Sequence, residues 1–343
     1  MSKKIYLFFI LFILLTSCEK NEIPINLSGC TDELASNFNQ YANISDNSTC
    51  NYESFTKIIP LTSDYRYQIF YEINSNSIVN ENLKTDWDIA LENNLNGYHI
   101  IINSSTFSQI SSIDNVPFEN IINVSNLTWN WDNPSGDLNS TAIGDYRELN
   151  NTFWIIDLGY SPSGNQRGYK KFIIESVNQD YYTIRHANLD NTEDVTVTIY
   201  KSYETNFIYY SLKQNLEVNI EPLNNSWDLL FTQYTHIFDS GIPYLVTGTL
   251  INKHSNLEVA IDSISDFNQI NDTYTSTYEF MTNQNTIGYS WKEYFFDTQT
   301  YSINSHINYI IKKENDTFFK LRFIDYYNDL GEKGFPKIEI QKL

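Results

Sequence analysis

Basic residues are in short supply in this 343-residue chain: 22 Lys and Arg stand against 42 Asp and Glu, a net charge of -20. With no basic stripe to displace counterions from phosphates, nucleic acid is excluded as a partner. The same deficit excludes a polybasic contact with anionic lipid. Glycine is modest (12), and no phosphate-cradling glycine loop occurs. A Ser nucleophile elbow, a His-x-x-x-His pair and a Glu-paired metal motif are also missing, so the chain reads as neither an enzyme nor a metal protein. Alanine is scarce and no stretch carries a helical stripe, whereas Tyr (26) and Phe (21) are abundant. Such residues fit a pleated, half-buried surface, so the composition points to β structure.

Only one long apolar run is present, Ile5 to Leu15, preceded by Lys3 and Lys4. It is short for a bilayer span and suits the core of a signal peptide. It ends in Leu15-Thr16-Ser17-Cys18, a bacterial lipobox in which Cys18 is acylated and becomes the first residue. Residues 1–17 are therefore expected to be a lipoprotein signal peptide and 18–28 a polar tether, anchoring the chain to a membrane without spanning it. Cysteine numbers only three, and with Cys18 lipidated, Cys30 and Cys50 are left in an oxidising compartment, where they are expected to bridge. The Cys-bounded stretch 29–52 has too few apolar groups for a core. It reads as a disulfide-stapled spacer, stabilised by about 3 kcal/mol through loop closure.

From Tyr65 onward the chain alternates with the period of strands: Tyr65, Tyr67, Ile69, Tyr71 and Ile73 against Arg66, Gln68, Phe70 and Glu72. Asn178-Gln179-Asp180 and Glu314-Asn315-Asp316 each separate two such runs and read as hairpin turns. A pattern also recurs. Tyr71-Glu72-Ile73, Ile78-Val79 and Trp87-Asp88-Ile89-Ala90-Leu91 return as Tyr210-Ser211-Leu212, Glu217-Val218 and Trp227-Asp228-Leu229-Leu230-Phe231. Farther on, Trp154-Ile155-Ile156-Asp157 with Tyr169-Lys170-Lys171-Phe172 is echoed by Tyr309-Ile310-Ile311-Lys312 with Phe319-Lys320-Leu321-Arg322-Phe323. The expectation is an all-β chain with two related antiparallel sandwich-like units, 53–200 and 201–343. No Pro/Gly tract separates them near Lys201, so the units should pack together or share a sheet.

Two features carry possible chemistry. Asp88 and Asp228 are a repeated carboxylate pair, but their place after a core Trp suits strand-end hydrogen bonding better than acid-base work. Trp129 and Trp131, in a turn-rich loop, read as caps on the β core or as a platform for a flat ligand or sugar.

Tyr209-Tyr210-Ser211-Leu212, Glu217-Val218, Trp227 to Phe231 and Tyr234 resemble the opening strands of the HmuY-like family, haem-binding lipoproteins of the Bacteroidetes envelope. Tyr301-Ser302-Ile303-Asn304, Tyr309-Ile310-Ile311, Phe319 to Tyr327, Gly331 and Gly334 resemble its closing strands. The first half follows more loosely, so the resemblance covers most of 60–343. It implies an outer-membrane-associated lipoprotein on the periplasmic or cell-surface face, with haem or a related porphyrin as cargo for uptake beside an outer-membrane haem transporter. Well-known members ligate iron with a His pair from the middle section of the domain, yet Ile264 to Phe296 contains no histidine. Met281 is its only soft ligand, and Tyr278, Tyr289 and Tyr294 offer phenolates. Outside that section, alternation places His236 on one face with Tyr234. His236, Met281 and Tyr294 are therefore the haem candidates, with Arg147, Arg167 or Lys253 as cations for the propionates. His254 is expected at a hairpin tip, and His99, His186 and His306 within strand-like runs. The alternative is a cell-surface adhesion or carbohydrate- or protein-binding module that kept the fold and lost haem ligation.

Overall fold

The computed structural model describes residues 26–343; Cys18, the signal peptide and most of the tether lie outside that range. The chain divides into two compact units, one ending at Asn51 and the other starting at Tyr52. In the small unit, β1 (Ser28–Gly29) and β2 (Ile44–Ser45) pair in parallel, and Cys30 and Cys50 form the expected disulfide with Cα atoms 5.0 Å apart. Cys30 and Ala35 are its buried apolar residues. Asparagine side chains brace its backbone: Asn37 donates to the Thr49 carbonyl (2.6 Å) and accepts from the Asn51 N–H (2.8 Å).

The large unit begins with β3 (Phe55–Ile58), β4 (Tyr67–Glu72), β5 (Ser77–Leu83), β6 (Ile89–Glu92), β7 (Ile100–Ile102), β8 (Gln109–Asp114), β9 (Thr152–Asp157), β10 (Tyr169–Val177), β11 (Tyr181–Ala187) and β12 (Val195–Tyr200). It continues with β13 (Phe207–Ser211), β14 (Leu216–Val218), β15 (Leu229–Ile237), β16 (Pro243–Ile251), β17 (Glu258–Asp262), β18 (Lys292–Phe295), β19 (Thr300–Ile303), β20 (Asn308–Lys313), β21 (Thr317–Tyr327) and β22 (Lys333–Lys342). Two five-stranded sheets have the orders β12-β11-β10-β9-β8 and β17-β20-β21-β22-β3. Two four-stranded sheets have the orders β14-β13-β6-β7 and β16-β15-β4-β5, and β18 and β19 form a separate hairpin. All strand pairs among the described residues of this unit are antiparallel. Helical structure among the described residues is confined to short 3-10 turns, none long and apolar enough to cross a membrane.

The repeated segments share sheets by exchanging strands. Hairpin β4–β5 pairs with β15, the Trp-Asp strand of the second half, and hairpin β13–β14 pairs with β6, the Trp-Asp strand of the first. Three apolar clusters explain why. Ile69, Tyr71, Leu229 and Phe231 pack against Tyr309, Leu321 and Phe323, joining one four-stranded sheet to one five-stranded sheet. Ile89, Leu91 and Tyr210 pack against Trp154, Ile156 and Phe172, joining the other pair. Between the two four-stranded sheets lie Phe70, Leu230, Tyr234, Trp87, Ala90 and Tyr209. The inner strands of the middle sheets, β4, β6, β13 and β15, are thus largely buried on both faces, which is why Phe70 is as hidden as its neighbours Ile69 and Tyr71.

The Trp-Asp repeat is the clasp of this exchange. Trp87 packs edge-on against Tyr209 (4.8 Å between centroids), and Trp227 does the same against Phe70 (5.0 Å). Asp228 accepts the Ile73 N–H (2.8 Å), just past β4, while Asp88 accepts the Lys213 N–H (3.0 Å), just past β13. Each carboxylate therefore caps the hairpin of the opposite half, the strand-end role expected from its position. Each also meets a cation, Arg167 on Asp88 (2.6 Å) and Lys313 on Asp228 (2.8 Å). The exchanged hairpins close alike: Tyr71 donates to Asn76 Oδ1 (2.5 Å) and Tyr210 to Asn215 Oδ1 (2.6 Å), both Asn residues having left-handed backbone.

Buried lysines brace the long connections of both halves. Lys171 on β10 donates to the carbonyls of Phe118 and Asn120, and Lys320 on β21 donates to those of Phe267 and Ile270. Both amines also sit over the Phe ring, at 4.7 and 4.6 Å. The turns expected at 178–180 and 314–316 do join β10 to β11 and β20 to β21.

Candidate functional site

One close backbone approach builds the site. Gly248 on β16 lets the 286–288 segment settle against the strand: Thr249 and Gly288 exchange two backbone hydrogen bonds (2.9 and 3.0 Å). A Cβ at Gly248 would lie 2.5 Å from the Gly288 carbonyl oxygen, so a side chain there would push the segment away. The chain that follows carries Tyr289, Trp291 and the β18–β19 hairpin. Trp291 is buried, stacked face to face on Phe323 at 3.9 Å, and fixes the hairpin's root.

Between this hairpin, the β15–β16 hairpin and Tyr65 opens a cleft of about 750 Å³. Tyr65, Phe238, Tyr244, Tyr289, Tyr294, Phe296 and Tyr301 line it. The rings support one another, Tyr294 lying 5.0 Å from Phe296 and 4.8 Å from Tyr301, and Tyr301 4.9 Å from Tyr326. Phe296 is 84% and Tyr244 61% exposed, so the mouth is open and apolar. Past Tyr65 and Tyr244 the cleft continues into a second hollow of about 520 Å³, lined also by Lys84, Phe107 and Tyr160. A concave volume of this order walled largely by aromatic rings, with polar groups among them, is what a small-molecule site requires. The cavity where Trp87 and Trp227 face each other is only about 90 Å³, too small for a comparable ligand.

The cationic groups are Lys292 and Lys333 in the cleft and Lys84 in the second hollow. Lys292 is buried, donates a hydrogen bond to the Thr247 carbonyl, and lies over the Trp291 ring at 4.0 Å. Burial pushes its ammonium down to about 7. Lys333 stands over the Tyr65 ring at 5.6 Å. Lys84 donates to Gln233 Oε1 (2.5 Å), and burial pushes it down to about 8. Glu293 and, in the second hollow, Asp64 are the carboxylates among the lining residues.

The three haem candidates are dispersed. Tyr294 is in the cleft wall. His236 stands behind the wall, its ring 5.1 Å from Phe238 and 5.0 Å from Tyr289, with Nδ1 buried and lacking a partner among the described residues. Burial lowers its pKa. Met281 is elsewhere, its backbone paired with Val259 on β17. The cations expected to receive propionates are engaged: Arg167 with Asp88, Arg147 with Asp145 (2.6 Å), and Lys253 with the Gly136 carbonyl (3.0 Å). His186 is a buried structural residue between Tyr210 (3.1 Å) and Asn215 (3.2 Å), and His99 pairs with Glu92 (2.6 Å) just before β7. His306, expected in a strand, lies exposed in the turn before β20. Exposed His254 does sit in a turn after a strand. Trp129 and Trp131 cap the core, 6.1 Å from Tyr169 and 6.1 Å from Phe107 respectively. Among the described residues no three His, Cys, Asp or Glu side chains gather as a metal site. Sequence reasoning does not single out Lys292 as a site residue; the aromatic run Tyr289 to Phe296 around it is its one local signal.

Residues 202–340 match the family model described as HmuY protein. Among solved structures, the chain is similar to apo PinO from Porphyromonas gingivitis at 9% identity, covering 85% of this chain and 96% of that one, with a TM-score of 0.31. It is also similar to the apo HmuY analog TFO from Tannerella forsythia at 12% identity, covering 50% of this chain and 94% of that one, with a TM-score of 0.21. No curated protein matches the chain.

Proposed function

We propose that this chain is an envelope lipoprotein, anchored through Cys18, that binds haem or a related porphyrin in the aromatic cleft for uptake beside an outer-membrane haem transporter. The observation that carries the proposal is the cleft itself: seven aromatic rings around about 750 Å³, with most of its walls inside the HmuY-family segment. Flat rings at the wall offer stacking area to a flat ligand, and the amines Lys292, Lys333 and Lys84 offset an acidic surface that would otherwise repel propionates. In this reading residues 53–200 and 201–343 are copies of one unit that exchanged strands, and the second copy carries the site. The role is binding, not catalysis.

The residues fit the porphyrin better than they fit its iron. Tyr294 could offer a phenolate from the wall, whereas His236 reaches the cleft only if Phe238 or Tyr289 moves. A histidine pair does not line the cleft among the described residues. Haem, when bound, supplies the redox-active iron; the chain's own residues hold the macrocycle and exclude water.

Titrating the purified chain with haemin and recording the visible spectrum tests this. A saturable Soret band, weakened by Tyr294→Ala and unaffected by Met281→Ala, is expected. Broad, non-saturating absorbance would sink the porphyrin reading and leave the adhesion module.

A further inference from the structure

Lys292 is an unusual group to find at the base of an apolar cleft. An ammonium has three donors, and among the described residues this one has a single acceptor, the Thr247 carbonyl on β16. Its other neighbours are ring faces: Trp291 at 4.0 Å, Tyr326 on β21 at 5.1 Å and Tyr301 on β19 at 5.9 Å. Among the described residues no carboxylate pairs with it. Glu293, its neighbour on β18, and Lys333 on β22 share the cleft lining, and neither contributes to its lowered pKa, which burial alone accounts for. Lys84, in the second hollow, likewise has one acceptor, Gln233 Oε1, but other buried or half-buried lysines are treated differently. Lys171 and Lys320 each reach two carbonyls or more, and Lys313 reaches two carboxylates. Those amines are held by two or more acceptors; Lys292, nearly encircled by rings, is left with donors to spare beside the larger open volume.

We infer that Lys292 receives a carboxylate of a planar aromatic ligand, and that this anion, not iron, is the group the cleft recognises. The inference rests on the cleft being the ligand site and goes beyond the porphyrin reading by naming the contact that selects the ligand. A neutral amine beside an entering carboxylate takes up one proton from solvent and becomes its ammonium partner; no bond to carbon forms or breaks. Binding is therefore coupled to proton uptake above neutral pH, and the coupling disappears in acid, where the amine is already charged.

The purified chain would be titrated with haemin, metal-free protoporphyrin, the dimethyl ester of that porphyrin, and 2-naphthoate. The two porphyrin diacids should bind within about threefold of each other, and the ester on the order of tenfold or more weaker, as loss of a charge-assisted contact requires. Calorimetry at pH 8 in two buffers of different ionisation enthalpy should show net proton uptake, absent at pH 5.5. Lys292→Met should remove both the acid-over-ester preference and the uptake. If that variant does not fold, the acid-ester comparison on the unaltered chain decides alone. Equal affinity for acid and ester would overturn the inference while leaving the porphyrin reading standing. If the porphyrins fail yet 2-naphthoate binds with a proton uptake that Lys292→Met abolishes, the porphyrin reading falls and the carboxylate site stands. Failure of both ligand classes overturns it.

Discussion

Replacing Asp88 by Asn tests whether the exchanged strands are held by their buried ion pair. Asp88 is fully buried, and its partner Arg167 has a side chain only 5% exposed. Breaking such a pair by neutralising one partner typically costs about 3–5 kcal/mol, because the other charge stays buried without a counterion. Arg167 would still donate to the carbonyls of Leu158 (2.9 Å) and Thr85 (3.0 Å), so the lower end is the better estimate, about 3 kcal/mol. At roughly 2 °C per kcal/mol for a large cooperative unit, the melting temperature should fall by about 6 °C. Urea unfolding followed by tryptophan fluorescence reads the same change as a lower midpoint at unchanged slope. Asp88→Asn combined with Arg167→Met should recover most of the loss, since the stranded charge is gone. The exposed pair Arg147–Asp145 is the control, with side chains 45% and 46% exposed, and Asp145→Asn should leave the midpoint unmoved. A cost for Asp88→Asn below about 1 kcal/mol, or no recovery in the double variant, would refute the argument.

Lys292→Met should stabilise the free chain at pH 7. The folded pKa is about 7 against 10.5 unfolded, so the unfolded chain binds an extra proton between those values and the lysine's penalty grows as pH falls through that window. The gain should approach about 5 kcal/mol at pH 7 and vanish near pH 10.5, read from urea midpoints. Glu221 has the opposite sign: burial pushes it up to about 7, so the native state holds more protons than the unfolded one from pH 4.5 to 7, and stability is lost as pH rises through that range. Glu221→Gln should therefore be more stable than the parent by up to about 3 kcal/mol at pH 8 and equal to it at pH 4, checked by the same titration. Reducing Cys30–Cys50 should cost the small unit about 3 kcal/mol. Limited proteolysis should then cut between residues 30 and 50 while leaving the fragment from Tyr52 intact.

Much of the fold was legible because its signals are local. Alternation around Ile69 and Tyr71, the Asn-rich turns and the odd-cysteine arithmetic each depend on a few neighbouring residues, and strands, hairpins and disulfide followed. The Trp-Asp repeat was visible as a repeat, and the missing linker hinted at a shared sheet. That hairpin β4–β5 pairs with β15 and hairpin β13–β14 with β6 has no local signal, because Ile73 and Asp228 meet across 155 positions. The site suffered more. Tyr294, His236 and Met281 stand out in the sequence only as isolated donors, and sequence says nothing of what stands in front of a side chain. Arg147 and Arg167 carry no sequence mark of their carboxylate partners, Asp145 and Asp88. Lys292 has no signal of its own because a lysine is ordinarily solvated; only the packing of Trp291 and Tyr326 around it makes the amine unusual.

The strand exchange has a bearing on how the two halves could diverge. A chain carrying one copy alone would present an unpaired edge on each four-stranded sheet and would depend on meeting a second copy to cover it. Covalent fusion turns that meeting into an intramolecular event at an effective concentration in the millimolar range, independent of how much protein the cell makes. Once closure no longer relies on two identical surfaces, the halves are free to differ. Here the β18–β19 hairpin and most of the aromatic wall lie in the second half, and the first contributes Tyr65.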